Sequence, residues 1–145
     1  MTAKEYLRKV KRMETAIRQK EGEIKYMREA ATHISVNYGS ERVQSSPAYD
    51  RLADSVAKIV DMEAEIVEEY QKMLAFRAEA AERIGRLPKE LQSQILFLRY
   101  LEGKSMKEIP GIVGRSSQYV VEQHGKALQA FKILNPDLFE GDKSE

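Results

Sequence analysis

Tyr6, Val10, Met13, Ile17, Lys20, Ile24, Met27, Ala31 and Ile34 follow one another in alternating steps of four and three, and only Lys20 among them is polar. That spacing puts them on one line along an α-helix, the a/d seam of a coiled coil, sustained for about four heptads. A strand has a side-chain period of two and would scatter the same residues over both faces. Lys, Arg, Glu and Gln fill many of the positions between, and all four favour helix. Thr2 is placed as N-cap, with Glu5 three residues later as its capping-box partner. An apolar line of this length needs cover, so a second helix is expected along it.

The seam ends in VNYGSERVQSSPAYD, where Asn37, Gly39, Ser45, Ser46 and Pro47 all disfavour a continuing helix. Val36–Ser46 reads as a loop. Ser46 then Pro47 reads as an N-cap followed by proline at the first helical position. A second long helix is expected from Pro47 to Ile84. Its main stripe is Leu52, Val56, Ile59, Ile66, Tyr70 and Met73, with Glu63 in one seam position. Val60, Met62, Val67 and Leu74 widen the apolar face, as in a globular bundle. Gly85 suits the left-handed position just past the helix end, and Pro88 starts the next element.

Two long helices joined by a short loop pack most simply as an antiparallel hairpin. Charge agrees. Residues 1–36 carry nine Lys/Arg and five Asp/Glu, whereas residues 37–85 carry six and ten. Exposed pairs are each worth only ~0–1 kcal/mol, so they select orientation more than they stabilise. Two helices alone bury little surface, so homo-oligomerisation, with a dimer favoured, or packing against the C-terminal part is expected. The chain has no Cys, which excludes disulfides and thiolate metal sites. No apolar run approaches the ~20 residues of a membrane span, and the basic N-terminus lacks the apolar core of a secretory signal. A cytoplasmic protein without a membrane partner is expected.

The segment LPKELQSQILFLRYLEGKSMKEIPGIVGRSSQYVVEQHGKALQAFK has another texture. Leu91, Ile95, Leu96, Leu98 and Leu101 place apolar groups on one helical face, which Glu102-Gly103 ends. Ser105 caps a short helix, with Glu108 three residues on and Met106, Ile109 and Val113 inside. Gly114 makes a tight turn. Ser116 caps the next helix, whose Val120, Ala127, Leu128 and Phe131 face inward. This is the arrangement of a helix-turn-helix, which projects the first turns of its second helix into the major groove of duplex DNA. Ser117, Gln118 and Tyr119 supply polar groups near the start of that helix. Lys104, Lys107 and Arg115 gather at the turn, where phosphates would lie. The fold expected is all-α. A helical hairpin (1–85) leads into a helix-turn-helix unit (86–135), and residues 136–145 form a flexible tail.

The run ILFLRYLEGKSMKEI…VGRSSQYVVEQHGKAL resembles region 4 of bacterial sigma factors. Arg99-Tyr100, Gly103, Glu108-Ile109, Gly114, Ser116 and Lys126-Ala127-Leu128 carry the likeness, without gaps from Gly103 onward. The whole chain, a long helical half followed by this unit, resembles RinA- and ArpU-type late-gene transcription activators of phages and prophages of Gram-positive bacteria. The resemblance implies base reading by Ser117, Gln118, Val121 and Glu122, with Lys126 in the closing turn of the motif, in the cytoplasm of a bacterial host. The chain departs from the sigma pattern at Val121 and Glu122, where arginines are common, so no promoter specificity carries over. It departs again at Pro110, which costs ~3 kcal/mol inside a helix but is tolerated near a start, so the first helix is expected to be shifted, kinked or short. Gln123 takes a slot that is apolar in sigma factors and is expected to pack loosely.

The function expected is a sequence-specific DNA-binding transcriptional regulator of the late-gene activator kind, with double-stranded DNA and RNA polymerase as partners. Two other classes fit the same residues: a DNA-packaging protein like a small terminase subunit, and a helical adaptor that binds no DNA. No enzyme is expected, and neither cofactor nor metal. His33 and His124 lack Asp or Ser partners and read as surface or loosely packed. Glu63, Glu65, Glu68 and Glu69 read as a solvated face.

Overall fold

The structure is a computed structural model. It describes residues 1–38 and 47–139. Every regular element among them is helical. Two long helices, α1 (Ala3–Tyr38) and α2 (Pro47–Gly85), precede a C-terminal set. That set comprises α3 (Glu90–Leu96), a π-helical turn (Phe97–Leu101), α4 (Ile109–Val113), α5 (Ser117–Leu134) and α6 (Pro136–Phe139). The Thr2–Glu5 capping box forms as expected: the Glu5 N–H donates to Thr2 Oγ1 and the Thr2 N–H to Glu5 Oε2, each at 3.1 Å. Val36 to Tyr38, expected in a loop, continue α1. Ser46 and the rest of that loop lie outside the described residues, whereas Pro47 is the first residue of α2 as expected.

The chain folds as two compact units: residues 1–13 with the described chain from residue 73 on, and residues 14–72. In the second, α1 and α2 pack antiparallel, with Ile17, Ile24, Ala31 and Ile59 buried. Lys20 of the α1 seam binds Glu69 and reaches Glu65 at 3.9 Å, and Arg28 binds Glu63. Three of the acids expected on a solvated face therefore pair across the helices.

The expected α2 stripe is corrected. Val56 and Tyr70 are exposed, while Leu52, Ile59, Met62, Ile66 and Met73 turn inward. The inward register also takes Ser55 and Glu69, which are polar. Apolar content alone therefore favoured a line rotated toward the neighbouring Val56, Val60, Val67 and Tyr70. Gly85 is corrected too. It has no left-handed backbone, and the helix closes instead through N–H groups of Arg86 and Leu87 on carbonyls of Arg83 and Ile84.

The first unit has two hydrophobic cores. One joins Tyr6, Leu7 and Val10 of α1, Ala80 and Ile84 of α2, Leu96, Tyr100 and Leu101, Ala127 and Phe131 of α5, and Phe139. The other, smaller core holds Ile95, Leu98, Ile109 and Val120, with Leu91, Met106 and Val113 against it. A boundary at residue 85 is thus corrected, because both long helices give their ends to the C-terminal core. Of the expected tail, Pro136–Phe139 form a helical turn instead, with Phe139 buried against Phe131 at 6.4 Å, and residues 140–145 lie outside the described residues. Arg83 fastens it, its guanidinium donating to Asn135 Oδ1 at 2.9 Å and to both carboxylate oxygens of Asp137. That pairing holds the Asp137 carboxyl below its ordinary range. A helix-turn-helix of some 50 residues buries little surface alone, so it recruits apolar area from its neighbours in sequence.

Candidate nucleic-acid interface

Residues Leu91 to Leu101 were expected to show one apolar face; they show two. Ile95 and Leu98 enter the small core, whereas Leu96, Tyr100 and Leu101 enter the large one. The π turn contributes to this. The Glu102 N–H donates to the Phe97 carbonyl at 3.1 Å, five residues back, and the wider turn rotates the side chains that follow. Beyond it, Gly103 takes a left-handed backbone at φ +70. The Lys104 N–H bonds the Leu98 carbonyl at 2.9 Å, while its own carbonyl accepts from Arg99 Nη1 at 3.2 Å. Arg99-Tyr100 therefore locks the entry to the turn and packs the core at once.

The Ser105 hydroxyl accepts from the Glu108 N–H at 3.2 Å. Helix α4 itself is short, five residues, with Pro110 in its first turn, where it costs little. Gly114, left-handed at φ +68, turns the chain. Ser116 then caps α5, its hydroxyl accepting from the Tyr119 N–H at 3.2 Å.

Because Val120, Gln123, Ala127 and Phe131 are buried, the helical period leaves Gln118, Val121 and Glu122 on the outer face. All three are exposed, as are Lys107, Arg115, Ser116, Ser117, Tyr119 and Lys126; Lys104 is half-buried. Arg115 and Ser116 therefore fall on the turn and the others of α5 on its outer side, whereas Lys104 and Lys107 lie in the segment ahead of α4. Four of them form two local pairs. The Arg115 guanidinium lies 5.7 Å from the Tyr119 ring centroid, and Glu122 holds Lys126 at 3.1 Å.

Gln123 is not loosely packed. Its Oε1 accepts from Gln92 Nε2 at 3.1 Å, and both side chains are buried. His124 is not at the surface either. It is half-buried, its Nε2 lies 2.8 Å from the Tyr100 hydroxyl, and the two rings stack. Burial lowers its pKa, helped by Lys4, Arg99 and Arg8. Neither contact was visible in the spacing of single residues, since each needs α3 and its π turn placed against α5. Ile112, exposed on α4, was also missed.

Charge follows the same division. Residues 1–13 and 73–139 hold fifteen Lys/Arg against eight Asp/Glu, while residues 14–72 hold eight against twelve. The first unit thus carries the net positive charge, shared between residues 1–13 and the C-terminal helices.

The chain is similar to no family model, no curated protein and no solved structure. No helix among the described residues is long and apolar enough to cross a membrane. The described residues contain no cluster of three acids or histidines set to hold a metal.

Proposed function

We propose that the chain is a sequence-specific DNA-binding regulator of transcription whose α5 enters the major groove. The observation that carries this reading is the exposed start of a capped, firmly packed helix, bearing Gln118 and Val121, with Arg115 exposed just before it and Lys107 exposed ahead of α4. A side-chain amide such as Gln118 pairs with adenine, and an apolar group such as Val121 contacts a thymine methyl. Glu122 accepts from cytosine. Exposed cations at the turn neutralise phosphates and fix the docking without reading sequence. The resemblance to late-gene activators implies promoters of late phage genes as the target, with RNA polymerase as partner.

Footprinting across the genome of a lysogen tests this. Sites upstream of structural genes support activation, whereas sites at a packaging start replace the activator with a packaging protein. Lys107→Gln with Arg115→Gln is expected to weaken binding on all sequences alike. Unchanged affinity would place the docking face elsewhere.

The exposed Val56, Val60, Val67 and Tyr70 of α2 favour self-association of the unit formed by residues 14–72. Sedimentation equilibrium tests it: a dimer is expected, a monomer at all concentrations refutes it, and a ring of eight or more favours the packaging reading.

A further inference from the structure

The start of α1 is built into the DNA-binding unit. Ala3, Tyr6, Leu7 and Val10 are buried in one core with Ala127 and Phe131 of α5, and the Tyr6 ring lies 5.8 Å from that of Phe131. Lys4, Arg8 and Lys11 are exposed and follow in steps of four and three, on the flank next to Leu7. At a helical rise of ~1.5 Å per residue they form a line ~10 Å long.

That flank faces the helix-turn-helix. Lys11 Nζ lies 2.9 Å from where a Cβ on Gly103 would sit, and Lys4 and Arg8 are near enough to act on His124 of α5. The opposite flank faces α2, where Lys9 Nζ lies 4.8 Å from the Phe76 ring centroid. The first thirteen residues hold five cations and one acid, and that acid, Glu5, closes the capping box on Thr2.

We propose that this flank is a second DNA-backbone contact, with Lys4, Arg8 and Lys11 gripping phosphates along the strand that borders the groove occupied by α5. The inference rests on the reading of α5 as the groove-binding helix. It gives α1 a role in binding that a hairpin acting only in assembly would lack. It also means that the DNA-binding surface is incomplete in the C-terminal segment alone.

Salt dependence isolates the contact. Each phosphate neutralised adds ~0.9 to the slope of log affinity against log salt. The probe is a mixed-sequence duplex of about 30 base pairs, read by anisotropy between about 50 and about 200 mM KCl. The full-length triple variant Lys4→Gln, Arg8→Gln, Lys11→Gln is expected to lose about 2.7 from that slope. Affinity should then fall about forty-fold less across the salt range than in the wild type. The control pair Lys9→Gln with Arg12→Gln should change the slope by less than about one.

A triple variant with the wild-type slope overturns the inference and leaves α5 standing. A wild-type chain that binds no duplex, or binds without salt dependence, removes the reading of α5 and this inference together. The chain has no Cys, so Arg8→Cys carrying a tethered iron chelate provides a second measurement. Backbone cleavage beside the α5 footprint is expected, and cleavage nowhere on the duplex overturns the contact.

Discussion

Replacing Gln123 by Leu gives the sharpest test of how α5 is held. The side chain is 8% exposed and its partner Gln92 is 4% exposed, and one hydrogen bond of 3.1 Å joins them. Leucine is close to glutamine in volume and removes the acceptor. The Gln92 amide is then left inside without a partner, at a cost of ~1–3 kcal/mol. Leucine at both positions removes the orphaned amide along with the bond, and such paired replacements are close to neutral or stabilising. The cycle therefore predicts two destabilised single variants and a double variant within ~0.5 kcal/mol of wild type or above it. Urea melts followed by circular dichroism supply the midpoints, with the denaturant slope checked for constancy. If the double variant loses the sum of the two singles, the pair is not a closed polar contact. If Gln123→Leu alone stabilises, the slot is apolar and only loosely filled.

Three further outcomes follow from the same unit. Phe139→Ala should cost ~3 kcal/mol, since the ring is buried against Phe131; a melting curve like that of wild type would return residues 136–139 to the status of a tail. Gly114→Ala should cost ~1–2 kcal/mol from backbone strain alone, because φ is +68 and no atom lies within 4 Å of the added Cβ; duplex affinity should fall with it as α5 tilts, and Gly114→Asn should recover part of both. His124 sets a pH dependence: burial holds its folded-state pKa below the ordinary 6.5, so the unfolded chain takes up the proton first. Stability should then fall as pH drops through 6.5 and level off below the folded-state value. His124→Gln should flatten urea midpoints over that window, and an unchanged pH profile would remove His124 as the cause.

Much of the scaffold was legible because helices announce themselves through short-range chemistry. The 4-3 spacing of α1, the Thr2–Glu5 box, the Ser116 cap and the Gly114 turn each depend on residues within a turn or two of one another. The outer side of α5 was legible for the same reason: once Val120, Ala127 and Phe131 are inward, the helical period leaves Gln118, Val121 and Glu122 outside.

What escaped was decided between elements. Ser55 and Glu69 lie in the inward register of α2 while Val56 and Tyr70 stay in solvent, an inversion that no hydropathy pattern favours. The reason lies partly on the other helix, because Lys20 breaks the α1 seam and Glu69 is its partner. A break in one seam and an acid expected on a solvated face are one ion pair in the structure. Gln92 and Gln123 repeat the lesson in the buried interior, Tyr100 with His124 at its edge and Arg83 with Asp137 at the surface. Local spacing was enough for the two long helices, for the Thr2 and Ser116 starts, and for the face of α5 that is offered outward, but not for the start of α4 or for the helical turn at Pro136–Phe139. Only the tertiary structure decided which polar residues are turned inward, and that the two ends of the long helices belong to the helix-turn-helix. The physical reason is that a buried polar group is tolerated only where its partner sits, and these partners lie 24 to 54 residues away.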